Sequence, residues 1–260
     1  MLSPMKTSGL LATACAVWAA LGCATIHRPH GAQPVTAVSA TTAEDAWRDL
    51  VSRRATLTSI QAYVRIRATA GQTSQSLRAT LSRDSGQRAL VEALTPLGTA
   101  AFTLFSDGRD ALFLDHLSRK FWRGPASSIG SVAGGLVPTV NLAELMLLAI
   151  GLPIDSTSAA TRCQVCPAEP GRIVIQQGDV RYTVGSAGLA SAVVQRGGET
   201  LRVDYSPPSF PPSAIDVGRY LGDSTKATQR IELRILDLVT GPAPVQPPAI
   251  PAGYTCCAGS

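Results

Sequence analysis

Histidine, aromatic side chains and catalytic motifs are all scarce in this chain. Of its 260 residues only three are histidines. His27 and His30 lie in a stretch with Pro29, Gly31 and Pro34, where two histidines could bind metal but more often do nothing. His116 is then the one histidine within the region that carries strand and helix signals, and no G-x-S-x-G serine accompanies it. No P-loop, dinucleotide-binding glycine fingerprint or HExxH occurs. Glu92, Asp107, Asp115 and Asp179 fall mostly at strand ends and turns, where solvated or turn-capping roles are the default. An enzyme needs convergent reactive groups. Their lack points to a non-enzymatic protein with no cofactor and no metal site. Lys and Arg outnumber Asp and Glu by 23 to 18, but the cations are dispersed and are not interleaved with aromatics. Nucleic acid is therefore not an expected partner.

A long membrane-spanning run is also missing. Leu10 to Leu21 is apolar but too short for a comfortable transmembrane helix. With Lys6 before it and Ala20-Leu21-Gly22-Cys23 after it, residues 1–22 read as a secretory signal peptide. Small residues before a cysteine resemble the lipobox of bacterial lipoproteins, with Ala20 where leucine is more usual. That resemblance implies cleavage before Cys23, lipidation of Cys23 and a membrane anchor made of acyl chains. Ala24, rather than aspartate, after the cysteine favours the outer membrane. An ordinary signal peptidase site, with Cys23 incidental, is the other reading. Residues 23–42 read as a flexible tether.

Six cysteines are present. Cys163-Gln-Val-Cys166 sits among prolines and alanines, and Pro167 and Pro170 argue against the helix that a thioredoxin-type motif requires. A zinc site would need Cys256 and Cys257, and adjacent cysteines are poor tetrahedral ligands. In an oxidising compartment, structural disulfides among Cys163, Cys166, Cys256 and Cys257 are the plainer reading, with the pairing open.

Residues 43–240 carry the folding signals. Thr42 to Arg54 reads as a helix capped by Thr42, with Ala46, Trp47, Leu50 and Val51 on one face for a sheet. Ile60 to Thr69 alternates as a half-buried antiparallel strand. Leu77–Ser82, Ala89–Ala93, Ala101–Phe105, Ala111–Asp115 and Lys120–Arg123 continue a meander joined by tight turns. Such a pattern suits a barrel or a strongly curved sheet. Asn141 to Ile150 reads as a helix capped by Asn141 and stopped by Gly151 and Pro153. It is apolar nearly all round, so it must be buried on more than one side. It is either a lid lining a cavity or a plain core helix. Strands resume at Arg172–Gln176, Val180–Gly185, Ala192–Arg196, Leu201–Tyr205, Ala214–Tyr220 and Ile231–Val239. Residues 241–260 are Pro-rich and read as an extended or disordered tail.

One turn is unusual. Leu94-Thr-Pro-Leu-Gly-Thr99 joins two strands, with Pro96 to preset the turn and Gly98 free to take a positive φ. Leu97 stands at the tip, where a polar residue is usual. It either folds back onto the core or is held out to enter a lipid.

Three pieces resemble the LolA/LolB lipoprotein-sorting family, the LolB-like outer-membrane lipoprotein receptors in particular. They are Leu57-Thr-Ser-Ile-Gln-Ala-Tyr63, Leu94-Thr-Pro-Leu-Gly-Thr-Ala100 and Ala149-Ile-Gly-Leu-Pro153. The second is similar to the family's Asn-Pro-Leu-Gly-Ser turn, and the third ends its helix as Leu-Gly-Leu-Pro does. The resemblance spans roughly residues 43–240. It implies an α+β fold, a half-open, strongly curved antiparallel sheet with a helical lid over an apolar cavity. It also implies a monomer, anchored at the outer membrane and facing the periplasm, that receives acyl chains of lipoproteins from a LolA-like periplasmic carrier. Pro96, Leu97 and Gly98 would form the membrane-insertion hairpin. Ile60, Val64, Ile66, Phe102, Leu104, Leu112, Leu114, Leu145, Met146 and Leu148 would line the cavity or lid, with plain core packing as the alternative for each. The cysteine loop, the Pro-rich tail and the few aromatics depart from the family. They leave open another amphiphilic cargo, such as a glycolipid, or a structural lipoprotein with a solid core.

Overall fold

The computed structural model describes residues 33–34, 42–70, 72–129, 141–154, 161–162, 169–222, 224, 226–241 and 244–257. The signal peptide, Cys23, most of the tether, and Cys163 and Cys166 lie outside the described residues.

In chain order the elements are β1 (Gln33–Pro34), α1 (Ala43–Thr56), β2 (Ser59–Ala70), β3 (Thr73–Asp84), β4 (Ala89–Leu94), β5 (Ala100–Ser106), β6 (Asp110–Asp115) and β7 (Lys120–Pro125). After a 3-10 turn at Ala126–Ser128 come α2 (Leu142–Ala149), β8 (Thr161–Arg162), β9 (Ile173–Gln177), β10 (Val180–Gly185), β11 (Gly188–Arg196) and β12 (Glu199–Ser206). The chain closes with β13 (Ala214–Leu221), β14 (Gln229–Thr240) and β15 (Thr255–Cys256). Among the described residues all the strands belong to one sheet, ordered β15-β7-β6-β5-β4-β3-β2-β14-β13-β12-β11-β10-β9-β8, with β1 on the end of β14. Every pairing is antiparallel except that of β15 with β7. The described residues are thus mostly β with two helices.

Strand alternation assigns the faces. On β2 the side chains of Ile60, Ala62 and Val64 are buried, while Arg65 and Arg67 are exposed. Cross-strand partners extend the apolar face to Leu81 and Ala79 on β3, Val91 on β4, Leu104 on β5, and Leu233 and Val217 on β14 and β13. Both helices pack on this face. α1 lies against β10 and β11. Thr42 Oγ1 accepts from the Asp45 amide at 3.1 Å, capping α1, and Arg53 and Arg54 occupy its last turn, where cations suit the helix dipole. Ala46 and Leu50 are fully buried beneath it, and Trp47 packs against Tyr182 at 5.3 Å between ring centroids.

α2 buries Leu142, Ala143, Met146, Leu147, Leu148 and Ala149. Asn141 Oδ1 caps it by accepting from the Ala143 amide at 2.9 Å. At the other end Gly151 takes φ +78°, so the Leu152 amide can turn back to the Leu147 carbonyl at 2.9 Å. Buried Tyr205 donates its hydroxyl to the Leu148 carbonyl at 2.8 Å, and Tyr182 accepts from the Ile154 amide at 3.0 Å. Polar atoms at the end of an otherwise apolar helix are thereby satisfied inside the core.

Two expectations fail here. The segment 244–257 is a docked strap and part of the folded unit. Val245 is buried against Phe105, Leu112 and Leu114 on the outer face of the sheet, opposite α2. The Thr255 and Cys257 amides donate to the carbonyls of Arg119 and Phe121, adding β15 to the sheet edge. Leu112 and Leu114, expected in the cavity, therefore face away from it. In the run Asp110-Ala-Leu-Phe-Leu-Asp115 both faces are apolar, and the register Leu104 to Phe113 and Phe105 to Leu112 sends Phe113 inward and the leucines outward. The second concerns only part of the cysteine set, since Cys163 and Cys166 lie outside the described residues. Cys256 and Cys257 carry free thiols. Neighbouring side chains on a strand point to opposite faces, and Cys256 is exposed while Cys257 packs against the core.

Candidate functional site: an apolar cavity under helix α2

The inner face holds a partly open cavity of about 150 Å³. Seven neighbouring strands contribute to it, from β5 through β4, β3, β2, β14 and β13 to β12, and α2 covers it with Leu142, Leu145, Met146 and Ala149. Its walls are aliphatic and phenyl groups, and Arg219 and Gln229 are the polar side chains in the lining. These two are cross-strand partners next to the β13–β14 loop. The cavity therefore lies toward the sheet end that also carries the β2–β3, β4–β5 and β11–β12 hairpin tips.

Of the residues expected to line it, Ile66, Phe102, Leu104, Leu145 and Met146 do so. Ile60, Val64 and Leu148 are buried in the same core without reaching the cavity. Leu112 and Leu114 are on the opposite face. Sequence reasoning missed Ala68, Leu77, Leu81, Val91, Leu201, Val217, Ile231 and Leu233. The alternation of each strand was the signal that could have found them. What alternation lacks is the depth at which packing stops and space begins.

A charged clamp ties helix α2 to the sheet. Arg196, at the end of β11, donates to Glu144 in the first turn of α2 at 2.5 Å and also pairs with Asp179 in the β9–β10 turn. All three side chains are partly exposed. The hydrogen bond from Arg196 holds the Asp179 carboxyl below the usual carboxylate range, and the two carboxylates push the guanidinium of Arg196 up. A similar pair, Arg219 with Glu199, stands at the rim.

The β4–β5 hairpin tip follows from its five residues. The Gly98 amide donates to the Thr95 carbonyl at 2.9 Å, which places Pro96 and Leu97 at the two central turn positions. Gly98 then takes φ +83°, and the Thr95 amide closes onto the Thr99 carbonyl at 2.8 Å. The turn leaves Leu97 92% exposed. It stands out from the body and does not fold back onto the core.

His116 lies elsewhere. Its ring nitrogens bond Thr103 Oγ1 at 2.8 Å and the Tyr254 hydroxyl at 2.6 Å, on the face covered by the strap. Among the described residues no three His, Cys, Asp or Glu side chains gather closely enough to hold a metal.

No protein-family profile and no curated protein matches the sequence. Solved structures match in fold. A domain from Vibrio parahaemolyticus named for outer-membrane lipoprotein sorting aligns with a TM-score of 0.50 at 13% identity, over 79% of this chain and 96% of that one. A DUF1329 family protein from Desulfovibrio piger aligns with a TM-score of 0.50 at 10% identity, over 79% and 96%. A LolA superfamily protein from Nitrosomonas europaea aligns with a TM-score of 0.48 at 15% identity, again over 79% and 96%. At these identities the likeness concerns the fold alone.

Proposed function

We propose that this chain is a lipid-anchored outer-membrane lipoprotein that takes acyl chains of lipoproteins from a LolA-like periplasmic carrier and places them in the membrane. The observation that carries the reading is the pairing of an apolar cavity under α2 with a leucine held out at a hairpin tip on the same end of the sheet. Seven adjacent strands lining one cavity support a sheet that curls around it as a half-open barrel. Each buried acyl CH₂ is worth about 0.8 kcal/mol, so an acyl chain needs such a container to cross water. Transfer from cavity to bilayer is then close to neutral, because both solvate the chain alike. No covalent step is involved, and the anchor is Cys23.

The volume sets a condition. An apolar cavity of about 150 Å³ admits a ring the size of benzene. A full acyl chain needs more room than this, which an outward swing of α2, held by the Arg196 clamp, would supply. The same figure favours, as the second reading, a smaller amphiphile on the same fold. A structural lipoprotein with a solid core is not supported.

The test is a transfer assay with the soluble domain carrying a replaced Cys23, an acylated lipoprotein held by the carrier, and liposomes. Lipoprotein should reach the liposomes only when the domain is present. Leu97→Glu should keep cargo binding and lose most of the delivery. Delivery unchanged by Leu97→Glu sinks the role of the hairpin. Cargo that stays on the carrier while the domain extracts other lipids sinks the lipoprotein assignment.

A further inference from the structure

The cavity lining is polar at one end only. Arg219 on β13 and Gln229 on β14 face each other across the strand pair, and both reach the cavity. Every other lining side chain is a hydrocarbon, apart from the thioether of Met146. An amphiphile seated here lays its chain among those groups. Its head finds hydrogen bonds at the Arg219–Gln229 end alone, because a polar group buried elsewhere would give up water with no replacement. The guanidinium and the amide both present N–H donors to that head.

The charge at this end is already balanced. Arg219 donates to Glu199 on β12, and the two side chains are 21% and 16% exposed. Glu199 is also the cross-strand partner of Arg196 on β11, whose guanidinium holds Glu144 and Asp179. Among the described residues, then, Arg196 and Arg219 stand against the carboxylates of Glu144, Asp179 and Glu199. The group offers hydrogen-bond donors to the cavity without a surplus of positive charge. A ligand carboxylate would lie near Glu199 in a partly desolvated place, where like charges repel more strongly than in water. An uncharged carbonyl takes the same donors without that repulsion.

We propose that Arg219 and Gln229 read the carbonyl of an ester-linked acyl chain, and that Glu199 makes the site reject a free fatty-acid carboxylate. The ester is that of a glyceride or of the diacylglyceryl group of a lipoprotein. This inference rests on the reading of the cavity as an acyl-chain site. Arg219 and Gln229 touch the head, and Glu199 acts through Arg219 by balancing its charge. Intact acyl lipids and their hydrolysis products carry the same chain, so only the head end of the cavity can tell them apart.

The test is displacement of N-phenyl-1-naphthylamine, an uncharged fluorescent probe, from the full chain at neutral pH. Ala68→Trp intrudes on the cavity and marks how much of the probe signal comes from there. The competitors are mono-octanoylglycerol, a diacylglyceryl-cysteine peptide and ionised octanoate. The readout is the ratio of ester to octanoate affinity, which cancels differences in how tightly each variant holds the probe. Glu199→Gln should shift that ratio toward octanoate by about tenfold. Gln229→Leu should weaken both esters by about fivefold. The double variant Arg219→Met, Glu199→Met removes the pair together, and it should weaken the esters with no gain for octanoate. The glyceride and the peptide share the ester, so both should respond, and the tighter binder identifies the source. A folded Glu199→Gln protein with the wild-type ratio overturns the proposal. So does octanoate that outcompetes the esters on the wild-type chain, and so do esters whose affinity survives both Gln229→Leu and the double variant. A probe signal that Ala68→Trp does not reduce sinks the cavity reading, and this inference with it. A cavity-bound probe with unaltered ratios sinks this inference alone. Thermal melting of each variant checks that it folds.

Discussion

Strands β5 and β6 bury apolar side chains on both faces, and the two faces are covered by different means. Leu104 points inward and is 3% exposed; Leu114 points outward and is 1% exposed. The inner face is closed by neighbouring strands and by two capped helices. The outer face at this point is closed by the strap, which brings Val245 onto Phe105, Leu112 and Leu114. The strap has no helix and no hairpin of its own. Its prolines favour an extended chain without internal hydrogen bonds. Contact with the sheet is what orders it, so the outer cluster depends on tertiary structure more heavily than the inner one.

The end of β3 shows the same contrast in polar form. Arg83 points inward and Asp84 outward, and both are buried. Asp84 is used on both oxygens, accepting from the Arg88 amide at 3.1 Å and from the Val245 amide at 3.3 Å, which fastens the strap. Arg83 has no acceptor for Nε or Nη1 among the described residues, and burial, with Arg54 nearby, pushes its guanidinium down to about 10.

The largest expected effect falls on the strap. Val245→Asp places a second carboxylate beside Asp84 and inside an apolar cluster. It should cost about 2–4 kcal/mol in urea unfolding. A change under about 0.5 kcal/mol would mean that the strap only grazes the sheet, and the contrast between the faces would collapse. Next comes Arg83→Met, which replaces a poorly satisfied buried charge with a side chain of similar reach. It should raise stability by about 1–3 kcal/mol in the same experiment. Loss of stability would show that Arg83 has a partner worth more than its burial costs.

The smallest effect belongs to the Arg196 clamp on α2 and depends on pH. The folded carboxyl of Asp179 is lowered by the bond from Arg196. Its contribution is therefore complete above the ordinary carboxylate range, near 4, and is lost as pH falls through the lowered folded value. Melting curves between neutral and acid pH should show a small drop that Asp179→Asn removes. Hydrogen exchange in the first turn of α2 should quicken over the same range. A drop of equal size in the Asn variant would assign it to other carboxylates.

Much of this was legible in the residues. β2 could be read from Ile60 to Ala68, because a two-residue period with one apolar side leaves a single register. The helix caps at Thr42 and Asn141 and the stop at Gly151 are local hydrogen-bond chemistry. The cavity was harder to read. Ile66 and Val64 share one face of one strand, but Ile66 meets empty space and Val64 meets other side chains. Only the positions of the neighbouring strands and of α2 decide which. Leu112 and Leu114 were misplaced because a strand apolar on both sides does not say which face is in.

By itself the sequence determined what short-range sterics and hydrogen bonds can settle. The longer strands, the helices α1 and α2 and the Leu97 turn belong to this class, since Pro96, Gly98 and the two threonines act within five residues. Tertiary structure alone decided what depends on partners far along the chain. It docked a Pro-rich tail as a strap, left Cys256 and Cys257 unbonded, and drew Glu144 and Asp179 onto Arg196. It also joined β2 to β14 in one register, because two strands so far apart in the chain meet only when the sheet as a whole forms.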